Sequence, residues 1–348
     1  LSELDLAVVV VSWNVRDLLL ECLASVCRAM DAACLRGEIW VVDNASHDGS
    51  IEAVRTRFGD DRRFHPIASP TNLWFGGGQN LALRAIGFDH VELPLPVQQG
   101  GIGDLKLVAT DGPSGAQDAH KLPRYVLVLN PDTLIDQGAL GTMVEFMDRC
   151  PRAGVCGPKL VYGDGRFQHA AYRFPSLAQT ALDFWPLHWR LTESRLNGRY
   201  PRRLYESGIP FSIDHPLGAA MLFRRDTIQQ TGGFDLDYRM YVEEIDWCMR
   251  VKRAGWDIYC VPEAEIVHYE GQSTRQVRPH MIVALWRSRY IFFRRYTSPS
   301  YCWAVRHLTR AGMRAKIRRA QDALCDQASD QASTWALIDA YRQVIELE

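Results

Sequence analysis

Apolar positions along this chain recur with two alternating periods, and the alternation predicts its architecture. Ala7–Ser12 is a β-branched run that reads as a strand, and from Asp17 onward Leu18, Leu19, Cys22, Leu23 and Val26 recur at helical spacing. Ile39–Val42 predicts a second strand ending at Asp43, followed by a helix over Ser50–Phe58. Phe64–Ala68 predicts a third strand, and Gly78–Phe88 a third helix behind a glycine-rich turn. Three strand and helix pairs in succession require right-handed crossovers, which build a mostly parallel, Rossmann-like central sheet flanked by helices, an α/β class.

The rhythm breaks over Val91–Pro123, where GG, GxG and DGPSG steps and several Gln leave no period long enough for an element. This segment reads as an inserted flexible loop. Tyr125–Leu129 then resumes as a short apolar strand closed by Asn130-Pro131, and Gln137–Arg149 as a helix. Val155–Leu160, Ala219–Arg224 and Asp257–Val261 read as strands, Glu243–Ala254 as a helix, and Phe167–Gly208 as an aromatic, Arg-rich, partly helical segment. Helical signals dominate from Pro279 to the end. The expected organisation is a catalytic domain over residues 1–275, with the loop 91–123 inserted, and a helical C-terminal extension over 276–348.

Composition narrows the function classes. The 348 residues sum to a net charge of −1 with 23% charged, so no global field marks a nucleic-acid binder and any basic surface is local. Nine cysteines with no CxxC pair fit neither a zinc site nor a disulfide framework, and a reducing cytosol is the expected compartment. The longest apolar runs, such as Leu6–Val11, fall far short of the ~20 residues of a spanning helix, and no secretory leader is expected. The expectation is a cytoplasmic protein, any membrane contact being peripheral and at the inner face of the cell membrane.

Polar groups recur where the strands end. Asn14 follows the first strand, Asp43-Asn44 the second, and Asp132 the strand Val126–Leu129. In open α/β sheets that edge binds ligands. Asp132 fits two readings, a turn or helix-capping residue, or a carboxylate holding a divalent metal against phosphate oxygens. Asp43 and Asp48 could hold ribose hydroxyls or a base edge, or could form a turn and cap the following helix. Gly76, Gly77 and Gly78, before Asn80, let backbone N–H groups approach a phosphate or sugar, although neither the dinucleotide nor the NTPase fingerprint is met. Farther on, Glu243, Glu244 and Asp246 crowd beside Tyr241 and Trp247 at a predicted helix start. Such crowding should raise at least one pKa, and a carboxylate facing a sugar-binding aromatic can deprotonate a hydroxyl. His268, after the strand-like EIVH, is a candidate partner for Asp132 in a metal site, with a structural role as the alternative.

The ordered set VVVVSWN (8–14), VVDNASHDGS (41–50), NLWFGGGQN (72–80), LVLNPDT (127–133), HPLGAAMLFRRD (215–226), GGFDLDYRMYVEEIDWCMR (232–250), KRAGW (252–256) and VHYEGQS (267–273) resembles the inverting family 2 glycosyltransferases of the GT-A fold, in their bacterial rhamnosyltransferase-like branch. The resemblance runs from about Leu6 to about Tyr296. It implies transfer of a sugar from a nucleoside diphosphate donor to a hydroxyl of a glycan or polyprenyl-linked glycan, with a divalent metal (Mg or Mn) and inversion at the anomeric carbon. The first expectation for the donor is dTDP-rhamnose. The family's DxD motif maps onto Asn130-Pro131-Asp132, where only the last carboxylate survives, and its Glu-Asp pair maps onto Glu243-Glu244, with Glu244 in the place of the base. On this resemblance Asn14, Asp43, Asn44, Asp48, Gly76, Gly77, Asn80, Asn130 and Asp132 would line the donor site. Trp247, Tyr241 and Gly218 would line the acceptor site, and Asp132 and His268 would bind the metal, with Trp74 a further stacking candidate; for the three aromatics a place in the core is the alternative.

Two other classes compete. A glycoside hydrolase would need Glu243 and Glu244 to flank one bond, but adjacent helical residues point about 100° apart. A non-catalytic nucleotide-sugar sensor would keep the donor residues and lose turnover. In the tail, Ile282–Tyr296 mixes aromatics with Arg287, Arg289, Arg294 and Arg295, as either a membrane-surface helix or a packing helix. Arg314–Glu348 reads as a polar helical element suited to capping or homodimerisation.

Overall fold

A computed structural model of the chain describes residues 4–94, 122–185, 188, 194–270, 278–325 and 331–347. All but the first four and last two residues of the loop expected at 91–123, and the expected domain boundary at 275/276, lie outside the described residues. The strands are β1 Leu6–Ser12, β2 Gly37–Asp43, β3 Phe64–Ala68, β4 Tyr125–Leu129, β5 Thr133–Ile135, β6 Ala153–Val161, β7 Phe167–Gln168, β8 Ala171–Tyr172, β9 Phe211–Ser212, β10 His215–Pro216, β11 Ala220–Arg224 and β12 Asp257–His268. The α-helices are α1 Arg16–Ala32, α2 Ser50–Phe58, α3 Trp74–Ile86, α4 Ala139–Arg149, α5 Leu177–Phe184, α6 Arg202–Glu206, α7 Arg225–Thr231, α8 Glu243–Arg253, α9 Arg278–Tyr296, α10 Pro299–Cys325 and α11 Gln331–Glu346.

The chain divides into two compact units. The first comprises Leu1–Tyr172, Arg202–Leu236 and Glu244–Ser273, and the second Arg173–Pro201, Asp237–Glu243 and Thr274–Glu348. The second unit thus begins near the expected boundary but also takes in two earlier segments, so a single cut does not describe it.

In the first unit one sheet runs in the order β3-β2-β1-β4-β11-β6-β12-β5. β3, β2, β1 and β4 are mutually parallel, as expected of successive crossovers. β11 runs antiparallel between β4 and β6, while β12 is parallel to β6. The sheet is therefore parallel on one side and mixed on the other. Every residue of β1 and β4 is buried, which explains why both read as unbroken apolar runs. Helix α1 turns Leu19, Cys22, Leu23 and Val26 of the predicted stripe inward together with Met30, while Leu18 of that stripe is only half-buried. Strand β12 is longer than the two separate runs suggested, because its register shifts between Val261 and Glu265, around Pro262, and pairing then resumes.

Helix α3 begins earlier than expected, so the three glycines lie inside it. The expectation of a glycine turn is corrected: these positions exist for close packing. A Cβ at Gly78 would stand 2.8 Å from Val11 Cγ1, one at Gly76 3.1 Å from Phe234 Cβ, and one at Gly77 3.1 Å from Leu73 Cβ.

In the second unit the aromatics of α9 point inward. Trp286, Tyr290, Phe292 and Phe293 are all nearly inaccessible, and Trp286 stacks on Phe184 at 5.2 Å. Helix α5 carries a capping box between Ser176 and Gln179. Helix α10 reaches the Phe184 ring through Gly312, where a Cβ would collide with it. Segment 237–243 is tied to α9 by Ser288 Oγ donating to the Met240 carbonyl at 2.8 Å and by the Arg295–Asp237 ion pair. Of the two readings of Ile282–Tyr296, packing is the one the structure adopts.

Candidate active site

Because β11 is antiparallel to β4 and β6, while β12 follows β6, one sheet edge collects the carboxyl ends of β1, β2, β3, β4, β6 and β12 with the amino end of β11. The strand order departs in both directions from β1, so β1 and β4 flank a topological switch point, where such sheets bind ligands.

On the β1–β2 side, Ser12 and Asp43 are register partners. Ser12 Oγ is buried without a hydrogen-bond partner, and so is Asp43 Oδ1. The other Asp43 oxygen accepts from the Ser46 N–H at 3.2 Å. Burial raises the Asp43 pKa against the opposing hydrogen bonds from Ser46. Buried polar atoms left without a partner are rare and call for an explanation, and two side by side at a ligand edge suit hydroxyl or base donors of a nucleoside. Ser12 was not singled out from the sequence, where its only signal is a lone hydroxyl ending an apolar run.

The neighbouring candidates are committed to architecture. Asn14, with φ of 52°, accepts from the His47 N–H at 2.8 Å, while its own N–H donates to Ser46 Oγ. Desolvation opposes ionisation of Asp48, but hydrogen bonds from Ser50 and from the Arg16 N–H outweigh it and lower its pKa; it organises the start of α2. Asn44 accepts from the Leu73 N–H at 2.8 Å and donates to the Trp74 carbonyl at 3.0 Å. It thereby holds Trp74 at a φ of 62° with 39% of its surface exposed. Asn80 is fully buried; it donates to the Glu92 and Phe234 carbonyls and accepts from the Phe234 N–H. Its role is to anchor the loop that follows α7.

At the β4 end, the Asn130 carbonyl accepts from Thr133 Oγ1 at 2.7 Å and from Cys22 Sγ at 3.5 Å, fixing the NPDT turn. Asp132 is 7% exposed and His268 4%. His268 pairs in register with Thr133, which brings its Nε2 to 3.5 Å from Asp132 Oδ1. Gln168 Nε2 donates to Glu270, which turns Gln168 Oε1 towards His268 Nδ1 at 3.2 Å. An Nδ1–H bonded there leaves Nε2 with its lone pair towards the carboxylate. Nε2 is buried and has no hydrogen-bond partner. A carboxylate oxygen and an imidazole lone pair facing one another are a donor set that Mn or a similar divalent cation accepts, so the residues present fit a metal. Among the described residues no third Asp, Glu, His or Cys joins them. Gln168 escaped the sequence reading because it lies 100 residues from His268, and Glu270, two residues after that histidine, because it acts on the ring only through Gln168.

The third group surrounds Glu244. Asn130 N–H donates to the Ala219 carbonyl at 2.8 Å, so the turn before β11 sits directly beside the NPDT turn. Gly218 lies in that turn, and a Cβ placed on it would be 3.4 Å from Glu244 Cγ. The Glu244 carboxylate is thus carried to the same sheet edge as Asp132. Desolvation pushes its pKa up to about 7, against hydrogen bonds from the N–H groups of Glu244 and Ile245. Just before this helix Tyr241 and Val242 adopt φ of 65° and 70°, a strained succession for a bulky and a β-branched residue.

Two residues grouped with Glu244 play other parts. Trp247 is fully buried, stacked on Phe223 at 4.0 Å and edge-on to Phe234. The expectation that it faces an acceptor is corrected, because its ring is core. Asp246 is likewise buried and pairs with Arg250 at 2.8 Å. Arg250 in turn donates to the Thr231 and Gly233 carbonyls, so Asp246 anchors a loop. Glu243 is 3% exposed.

Comparison with known proteins identifies the family of the chain. Residues 7–90 match the model described as glycosyl transferase family 2, and residues 125–315 that of glycosyl transferase family group 2. The chain is 28% identical over 259 residues to an N-acetylglucosaminyl-diphospho-decaprenol L-rhamnosyltransferase of Mycobacterium tuberculosis, covering 73% of each chain. It is 26% identical over 156 residues to the rhamnosyltransferase WbbL of Escherichia coli, covering 43% of this chain and 54% of the relative. The mannosyltransferase PcManGT of Pyrobaculum calidifontis, solved with GDP-Man and Mn2+, superimposes with a TM-score of 0.53 at 16% identity, over 99% of this chain and 86% of that one. The fold is GT-A, and the chain belongs to the family 2 glycosyltransferases, where it is rhamnosyltransferase-like.

Proposed function

We propose that this enzyme transfers a sugar, L-rhamnose from dTDP-rhamnose as the first candidate, from a nucleoside diphosphate to a hydroxyl of a polyprenyl-linked glycan, with inversion. The observation that carries the reading is the contact between Gly218 and Glu244, which brings a carboxylate of raised pKa to the sheet edge that holds Asp132 and His268. The sugar and the acceptor class follow the M. tuberculosis relative, an L-rhamnosyltransferase named for a decaprenol-linked acceptor.

In this reading Ser12 and Asp43 receive the nucleoside through their unpartnered oxygens. Asp132 and His268 would hold a divalent cation, which supplies neutralising charge to the diphosphate as it departs. Glu244 accepts the proton of the acceptor hydroxyl while that oxygen bonds to the anomeric carbon and the bond from that carbon to the diphosphate breaks. A single displacement inverts the anomeric centre and needs no covalent enzyme intermediate. A carboxylate titrating near neutrality accepts a proton more readily than an ordinary glutamate while staying largely ionised above pH 7.

The test incubates the full chain with a panel of dTDP-, UDP- and GDP-sugars, Mn2+ or Mg2+, and a polyprenyl diphosphate-linked N-acetylglucosamine. Nucleoside diphosphate release and the anomeric configuration of the product are the readouts. The expected result is acceptor-dependent turnover with inversion, abolished in Glu244→Gln. Failure of every nucleotide sugar to bind or turn over would overturn the reading.

A further inference from the structure

The positive charge of this chain is concentrated in one stretch. Within residues 278–325 Lys and Arg outnumber Asp and Glu eleven to one, although the whole chain sums to −1. Helix α10 carries six of these cations against Asp322, and they divide by contact. Arg306 lies over the Tyr290 ring, Arg310 donates to the Ile345 carbonyl and Lys316 lies over Phe184. Arg314, Arg318 and Arg319 are exposed, and none meets a carboxylate among the described residues.

The exposed cations share a helix face with an exposed indole. Trp303, His307, Ala311, Arg314 and Arg318 follow at steps of three and four residues and are all exposed, while Val305, Thr309 and Met313 on the opposite side are fully buried. Such steps align side chains in one stripe. Trp303 is 63% exposed and its ring lies tilted against that of His307 at 4.0 Å. With 27 residues the helix is about 40 Å long, and among the described residues no helix is long and apolar enough to cross a membrane.

We propose that the Trp303–Arg318 face of α10 is a docking surface for an anionic phospholipid bilayer, with the arginines over the headgroups and Trp303 seated in the interface. Three exposed cations that meet no carboxylate among the described residues are attracted to a polyanionic surface, and an exposed tryptophan at one end of the stripe suits the headgroup region, where amphipathic rings accumulate. The choice of a bilayer over another polyanion rests on the proposed lipid-linked acceptor. The surface differs from the one the sequence suggested, because the aromatics of α9 are consumed in packing.

The experiment is co-sedimentation of the full chain with vesicles of equal parts phosphatidylglycerol and phosphatidylcholine, and with pure phosphatidylcholine, at low and high salt. Wild type should bind the anionic vesicles, release at high salt and ignore the neutral ones. Each cation near an anionic surface contributes about fivefold to partitioning, so Arg314→Glu with Arg318→Glu should reduce binding by at least about tenfold. Trp303→Phe should weaken binding less, and wild-type tryptophan emission should shift to the blue on vesicles. Equal binding of wild type and the double Arg variant, or binding to neutral vesicles alone, would overturn the proposal. So would binding of a mixed-sequence RNA with no binding to anionic vesicles. Glu244→Gln should bind vesicles as wild type does, and the Arg variants should keep nucleotide-sugar binding, so failure here is distinct from failure of the transferase reading.

Discussion

His268 Nε2 stands 3.5 Å from Asp132 Oδ1, at the ends of two elements that share a strand ladder through Thr133. In the proposed metal site this pair would compensate for a DxD sequence reduced to a single acid, the imidazole being the candidate second ligand. His268→Ala and Asp132→Asn should each weaken Mn2+ binding by at least the 10- to 100-fold typical of lost supporting contacts. Titration of Mn2+ by electron paramagnetic resonance in the presence of nucleoside diphosphate checks this, and unchanged affinity in both variants would remove the site.

Much of this arrangement is legible in the sequence, and the rest is not, for a definite reason. Period and position bring Asp43, Asp132 and His268 to one sheet edge, because each lies at or just beyond the end of an apolar strand run, but they leave a structural role open for each. The strands β1 to β4 follow from the same signal. Asn80 could not be placed, since its partner Phe234 lies 154 residues away. The glycines of α3 are defined by Val11 and Phe234 rather than by any local turn chemistry. Trp247 and Asp246 sit in a motif whose composition looks catalytic, but Phe223 and Arg250 claim them for packing and pairing. Local pattern reveals which edge a residue reaches; long-range contact decides whether its side chain is spent.

Glu244 has a pKa raised from 4.5 to about 7. As a base it works ionised, so kcat/KM should rise with pH through about 7 and then level off, and Glu244→Gln should lose about 10²–10⁴-fold in kcat while retaining donor binding. A pH-rate profile with no inflection near neutrality would contradict the assignment.

The same shift has a stability consequence of opposite sense. A pKa raised on folding means that the native state holds the Glu244 proton more tightly than the unfolded chain between pH 4.5 and 7. Its favourable contribution is present below the unfolded value and is lost as pH rises through the folded one. Glu244→Gln should therefore gain on wild type by roughly 1–3 kcal/mol between pH 5 and pH 8. Denaturant melts at the two pH values measure it, and a gap independent of pH would show that the carboxylate is not desolvated.

Trp74 holds a φ of 62° with 39% of its surface exposed. A bulky residue in the left-handed region costs roughly 1–3 kcal/mol, and an exposed ring recovers little of that by burial. Trp74→Gly should raise thermal stability modestly and, if the exposed ring serves the proposed donor site beside which Asn44 holds its backbone, weaken nucleotide-sugar binding. A variant that is stabilised with unaltered donor affinity would show that the ring has no binding role.

Gln168 fixes which nitrogen of His268 is free. Glu270 accepts from its amide nitrogen, and the amide oxygen therefore faces His268 Nδ1. Gln168→Leu keeps the approximate volume but removes the acceptor, so Nδ1–H loses its partner and the imidazole is free to change tautomer or rotate. Metal affinity should fall about 10- to 100-fold, the effect typical of removing a partner that orients a ligand. The imidazole nitrogen resonances of labelled protein without metal should show Nδ1 protonated in wild type and a mixture of tautomers in the variant. If the variant kept the wild-type tautomer yet lost metal, Gln168 would be acting through packing. If it kept both, the relay from Glu270 would have no part in orienting His268.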